Sequence, residues 1–158
     1  DIGRSVQDQS GGRVCHAEIG ADMALGLLQP FNLAGEKVQN ILHCINTHRF
    51  RGDNPPETIE AKVLFDADKI DAIGAVGVAR AYLFAGEIGA KLHNPDADIE
   101  TTLPYTTEDT GYREFRVKLS KIKNRMLTRQ GKALAGKRHD FMTAFFDRLV
   151  KEVEGKDP

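Results

Sequence analysis

The stretch Leu64-Phe65-Asp66-Ala67-Asp68-Lys69-Ile70-Asp71-Ala72-Ile73-Gly74 (LFDADKIDAIG, 64–74) sets acids among apolar residues at helical spacing. Winding 61–79 as one helix at about 100° per residue gathers Ala61, Leu64, Phe65, Ala72, Ala75, Val76 and Ala79 on one side. Asp68 falls near the centre of that stripe, whereas Asp66 and Lys69 point elsewhere. Ile70 and Ile73 on the far side make the segment apolar almost all round, which is the pattern of a central, buried helix. An ionised carboxylate in such surroundings costs several kcal/mol unless a cation, a hydrogen-bond donor or a metal meets it. Asp68 is therefore either a structural acid, capping a neighbouring helix or pairing with an arginine, or a functional one.

Outward from this segment the chain reads as helices. Residues 1–13 are polar and glycine-rich, a helix end running into a loop. Over 15–29, His16, Ile19, Met23 and Leu27 recur at helical spacing until Pro30 stops the run. Residues 35–48 form a second helix with Val38, Leu42 and Ile45 inward, broken by HRFRGDNPP at 48–56. The segment holding the quoted stretch runs from Pro56 to about Gly89. Residues 93–112, with two prolines and many acids and hydroxyls, read as a long loop. Phe115, Leu119, Ile122 and Met126 mark a fourth helix. Leu134, Phe141, Phe145 and Leu149 mark a fifth. With no alternating strand pattern and no repeat, the expected fold is all-α, a single helical domain over 1–158 with 93–112 as a loop insertion.

Composition narrows the function classes. The chain has 158 residues, enough for one core-forming domain, and 41% are hydrophobic. Lys plus Arg number 22 against 23 Asp plus Glu, a formal charge of -1 without the basic excess of a nucleic-acid binder. No apolar run approaches the ~20 residues of a membrane span. Cys15 and Cys44 lack CxxC spacing and read as two reduced thiols of a cytoplasmic protein. The expected partner is a small molecule rather than a membrane or nucleic acid, and self-association to a homo-oligomer stays open.

Three polar clusters accompany Asp68: Asp1-Ile2-Gly3-Arg4; His16 with Glu18 in CHAEIGA (15–21); and Asn46-Thr47-His48-Arg49-Phe50-Arg51-Gly52. A lone histidine on an apolar face is ordinarily a core residue. Two such histidines together with a stripe-centred Asp are harder to dismiss. Imidazole and carboxylate suit Mn²⁺, Fe²⁺ or Zn²⁺, and Mg²⁺ where carboxylate and water dominate. Such an ion would polarise a phosphoryl oxygen and acidify a bound water, with Arg49 and Arg51 holding phosphates through forked hydrogen bonds. His139-Asp140 sits opposite the predicted buried side of its helix and reads as a solvated pair. His93 reads as a loop residue. His43 and Cys44 are adjacent on a helix and do not share a face.

At these residues the chain resembles the HD-domain metal-dependent phosphohydrolases, and more narrowly a bacterial branch with HDIGR, HAEIGA, a histidine followed by RFRG, and FDADKxDAIGA. The matching residues are DIGR at 1–4, HAEIGA at 16–21, HRFRG at 48–52 and FDADKIDAIGA at 65–75. The tail segments KLSKIKNRM and KRHDFMTAFFDRLVKEVEG are also similar to that branch. The resemblance implies an HD-like helical bundle that binds a divalent metal ion (Mn, Mg, Fe, Ni, Co or Zn). Asp1 and Asp68 match metal ligands. His16 and His48 match positions that contact substrate phosphates or support a second metal, which makes them, with Asp68, the catalytic candidates. Arg4, Arg49, Arg51 and Lys69 are the phosphate-facing candidates. The histidine that the pattern places before Asp1, and an earlier one, fall outside this chain, so the expected bundle is N-terminally truncated. The resemblance also implies hydrolysis of nucleotides or related phosphate esters, including pyrophosphate release from nucleoside triphosphates. The alternative is a non-catalytic nucleotide-binding or scaffold module with an incomplete metal site.

Overall fold

The structure is a computed structural model that describes residues 1–49 and 54–156. All regular structure among the described residues is helical, with no strand among them. None of their helices is long and apolar enough to cross a membrane. By compactness the chain divides into two units, Asp1–Asp68 and Lys69–Pro158.

The first unit holds α1 (Arg4–Gln9), α2 (His16–Leu28), a 3₁₀ turn (Gln29–Phe31), α3 (Gly35–Thr47) and most of α4 (Ile59–Asp71). Gly11 and Gly12, both at positive φ, end α1, and their N–H groups return to the carbonyls of Asp8 and Gln7. α2 packs against α3, and α1 lies on α2. The contact between α1 and α2 is built from small residues. A Cβ on Gly3 would lie 2.2 Å from the His16 carbonyl oxygen, and Gly20 meets Ile45 and the Gly3 nitrogen. The buried residues of α2 are accordingly His16, Ala17, Gly20 and Ala24, while Met23 and Leu27 are exposed. This corrects the inward stripe expected from apolar spacing, since close backbone approach selects small side chains over bulky ones. Thr58 Oγ1 accepts from Ala61 N–H at the start of α4 and donates to Asn40 Oδ1 on α3.

The second unit holds the end of α4, then α5 (Gly74–Glu87), α6 (Gly111–Val117), a 3₁₀ segment (Leu119–Arg125) and α7 (Arg129–Val153). Its core centres on Phe146, fully buried, with the Phe115 ring stacked at 4.5 Å and Tyr112, Tyr82 and Phe145 around it. Thr110 and Thr128 cap α6 and α7 through their side-chain oxygens. The 93–112 loop is irregular yet tied down. Asp109 pairs with Arg113 at 2.8 Å, both nearly buried, and Lys91 N–H donates to the Thr107 carbonyl.

Four further expectations are corrected. Segment 56–89 is two helices, because Gly74 takes φ +82 and Ile73 is extended. A Cβ on Gly77 would lie 2.3 Å from the Ala72 oxygen, and Arg138 Nη1 donates to the Ile70 carbonyl at the joint. The wheel over 61–79 therefore merged two helices with different axes. Within α4 the buried residues are Ala61, Phe65, Asp66 and Ile70, whereas Leu64 and Asp68 are exposed. The buried acid is Asp66, at 3% exposure, and Asp68 lies at the edge of the face. The predicted fourth helix is α6 plus a 3₁₀ segment, although Phe115, Leu119, Ile122 and Met126 all point inward as expected. On α7 the buried side carries Ala135, Met142 and Phe146, with Leu134 and Phe141 exposed, one residue away from the expected register.

Candidate metal centre

Residues at or near three helix termini deliver the site within the first unit. Asp1 precedes α1, His16 opens α2, and His48 caps the end of α3. The close approach at Gly3 lays the start of α1 on the first turn of α2, which brings Asp1 to His16. Asp1, His16 and His48 each offer one ligand atom, all within 4.8 Å of one another. His16 Nε2 stands 3.2 Å from Asp1 Oδ2 and 3.3 Å from His48 Nε2.

The proton positions follow from the partners on the far side of each ring. His48 Nδ1 lies 2.6 Å from the Ile45 carbonyl, an acceptor only, so Nδ1 carries the proton. His16 Nδ1 lies 2.8 Å from Gln7 Oε1, an atom that also receives the His16 main-chain N–H at 3.2 Å and Arg49 Nη1 at 2.9 Å. Both of those are obligate donors, so the atom is the amide oxygen and His16 Nδ1 donates to it. In the neutral rings both Nε2 atoms then present lone pairs to the same point as the Asp1 carboxylate. Three ligand atoms this close could hold a metal ion, and backbone- or amide-oriented imidazoles are how proteins present histidine to a metal.

Burial and charge hold His16 unprotonated near neutral pH. His16 is pushed down to about 4, first by burial, then by the charges of Arg4, Arg49 and His48; Asp68 acts in the opposite direction. Arg4 Nη2 sits 3.2 Å from Asp1 Oδ2 and 3.4 Å from His16 Nε2, on the exposed rim. For Cys15, burial pushes the thiol up, but the Ala17 and Glu18 N–H groups and Arg49 outweigh it and leave it below the ordinary thiol value.

The structure thus brings together Asp1, Arg4, His16, His48 and Arg49, with Asp68 exposed and close enough for its charge to act on His16. Arg49 turns its Nη1 inward to Gln7, where a phosphate-facing role was expected. Arg51 lies outside the described residues, and Lys69 belongs to the second unit. His43 accepts from the Glu57 N–H, His93 packs beside Tyr112, and His139 lies on α7; none joins the cluster. Sequence reasoning missed Gln7, because a six-residue helix carries no periodicity to set its face. The Ile45 carbonyl leaves no sequence signal at all.

Known proteins resemble this chain in sequence and in fold. The HD domain profile matches residues 1–73. YpgQ, an uncharacterised protein of Bacillus subtilis (strain 168), is 37% identical over 131 residues. The match covers 80% of this chain and 58% of YpgQ. An HD-superfamily hydrolase from Bacillus thuringiensis superposes with a TM-score of 0.71 at 27% identity, covering 95% of this chain and 69% of that one. The chain belongs to the HD-domain superfamily. A crystal structure of YpgQ in complex with ADP superposes on this HD-domain chain with a TM-score of 0.67 at 33% identity, covering 87% of it and 64% of the YpgQ chain. The HD profile ends at residue 73, so the Asp1, His16, His48 cluster and Asp68 all fall within it.

Proposed function

We propose that this chain carries the metal centre of a divalent-metal-dependent phosphohydrolase acting on nucleotides or related phosphate esters, including nucleoside triphosphates cleaved with release of pyrophosphate. The observation that carries the reading is the convergence of ligand atoms from Asp1, His16 and His48 within 4.8 Å of one another. Membership of a superfamily with hydrolase members, and the ADP complex of YpgQ, support the reaction class and the nucleotide.

Asp1, His16 and His48 would hold the ion. A mixed nitrogen and oxygen set suits Mn, Fe, Co, Ni or Zn better than Mg. When bound, such an ion polarises a phosphoryl oxygen and lowers the pKa of a coordinated water. Arg4, half-exposed beside Asp1, is placed to stabilise negative charge gathering on phosphoryl oxygens. Asp68, exposed near His16, takes up a proton from the attacking water.

The test is hydrolysis of nucleoside triphosphates by the protein with Mn²⁺, with phosphate and pyrophosphate separated by chromatography. Asp68→Ala should lower kcat by about 100-fold or more, the scale of a lost general base, in a protein whose circular dichroism is unchanged. Nucleotide binding without turnover under any divalent ion would replace this reading with that of a non-catalytic binding module.

A further inference from the structure

We infer that Gln7 is the positioning residue of this centre: its side-chain oxygen, held inward by Arg49 and the His16 main-chain N–H, locks the His16 ring in the tautomer that leaves Nε2 bare. The inference rests on the metal reading above, and it adds a residue that reading does not require.

A glutamine amide can present either its oxygen or its NH₂ to a site, and only the surroundings choose. Here two groups that can only donate converge on it, the His16 N–H at 3.2 Å and Arg49 Nη1 at 2.9 Å. Rotating the amide would set NH₂ against both donors, so the oxygen faces in. His16 Nδ1, 2.8 Å away, then has to donate, and Nε2 is left with its lone pair toward Asp1 and His48. Arg49 Nη1 also lies 3.5 Å from His16 Nδ1, the separation expected of two donors sharing one acceptor rather than of a bond between them.

The two histidines differ in what governs them. His48 is oriented by the main-chain oxygen of Ile45, which no substitution removes. His16 is oriented by a side chain. Gln7 is fixed relative to α2 because Gly3, at the head of the same short helix, packs on the His16 and Gly20 backbone. An uncharged acceptor also suits the task, since a carboxylate there would favour an imidazolium with no lone pair to offer. The inward turn of Arg49 gains a purpose in this arrangement: it orients Gln7 instead of meeting substrate.

The experiment uses the full chain, histidine-labelled with ¹⁵N, metal-free at pH 7.5, with Gln7→Leu and Gln7→Glu alongside. Ring ¹⁵N–¹H correlation spectra report the tautomer, and calorimetric titration with Mn²⁺ reports affinity. Wild type should carry the His16 proton on Nδ1 alone, whereas Gln7→Glu should raise the doubly protonated share of His16. Gln7→Leu should show the other tautomer or a mixture, with Mn²⁺ bound about 10- to 100-fold more weakly, the usual effect of losing a partner behind a ligand. A wild-type His16 protonated on Nε2 overturns the inference, whether or not Gln7→Leu folds. So does a folded Gln7→Leu with wild-type spectrum and affinity. Failure of the wild type to bind Mn²⁺ would sink the metal reading instead, and the tautomer would still decide the role of Gln7.

Discussion

His16 is buried at 3% exposure with two guanidinium groups beside its ring, Arg4 at Nε2 and Arg49 at Nδ1. Protonating it would bury a positive charge beside these two. Its folded pKa, about 4, therefore lies below the ordinary 6.5. Between those values the unfolded chain binds the proton and the folded chain does not. Stability from this residue is complete above pH 6.5 and is lost as the pH falls toward 4, on the order of 3 kcal/mol in all. Urea unfolding at pH 7 and pH 4.5 should show wild type losing more stability than His16→Asn, which has no ring to protonate. Equal losses would remove the neutral imidazole from the account. The neighbouring acid tells a different story. The buried carboxylate of α4 is Asp66, not Asp68, so the residue whose surroundings looked hardest to explain is the one that faces water.

At the scale of elements, the site depends on how closely α1 can approach α2. Gly3→Ala would press a methyl group 2.2 Å from the His16 carbonyl oxygen, and backbone cannot move aside as a side-chain tip can. The cost should be about 2–3 kcal/mol, the upper range for overpacking. Asp1 would be displaced from His16 at the same time. Thermal unfolding should show the loss, and Mn²⁺ binding should weaken with it; a variant as stable as wild type would mean the seam is looser than described. The same seam explains why helices were legible in the sequence but their faces were not. Apolar spacing found α2, α3 and α7, yet close packing on α2 buries Ala17, Gly20 and Ala24 and leaves Met23 and Leu27 outside. The break at Gly74 escaped because one glycine within an apolar run looks the same whether it bends a helix or ends it. There, positive φ and the Arg138 contact with the Ile70 carbonyl ended it.

For the molecule as a whole, the ordered motifs carried the all-helical fold and the superfamily, because four short patterns at fixed spacing constrain the chain more than any single helix does. They also nominated Asp1, His16 and His48, which the structure brings within 4.8 Å. They did not reveal that Gln7 would hold the His16 ring or that Arg49 would turn inward, since both depend on side-chain partners that no spacing encodes. The central claim is that these three residues form one cation site. Titrating the metal-free chain with Co²⁺ and following its visible absorption tests this most directly, because the bands report nitrogen and oxygen ligands around the ion. One equivalent should bind with bands that vanish in His16→Ala and in His48→Ala while both variants remain folded. Bands of undiminished intensity in either variant, or none in the wild type, would contradict the account.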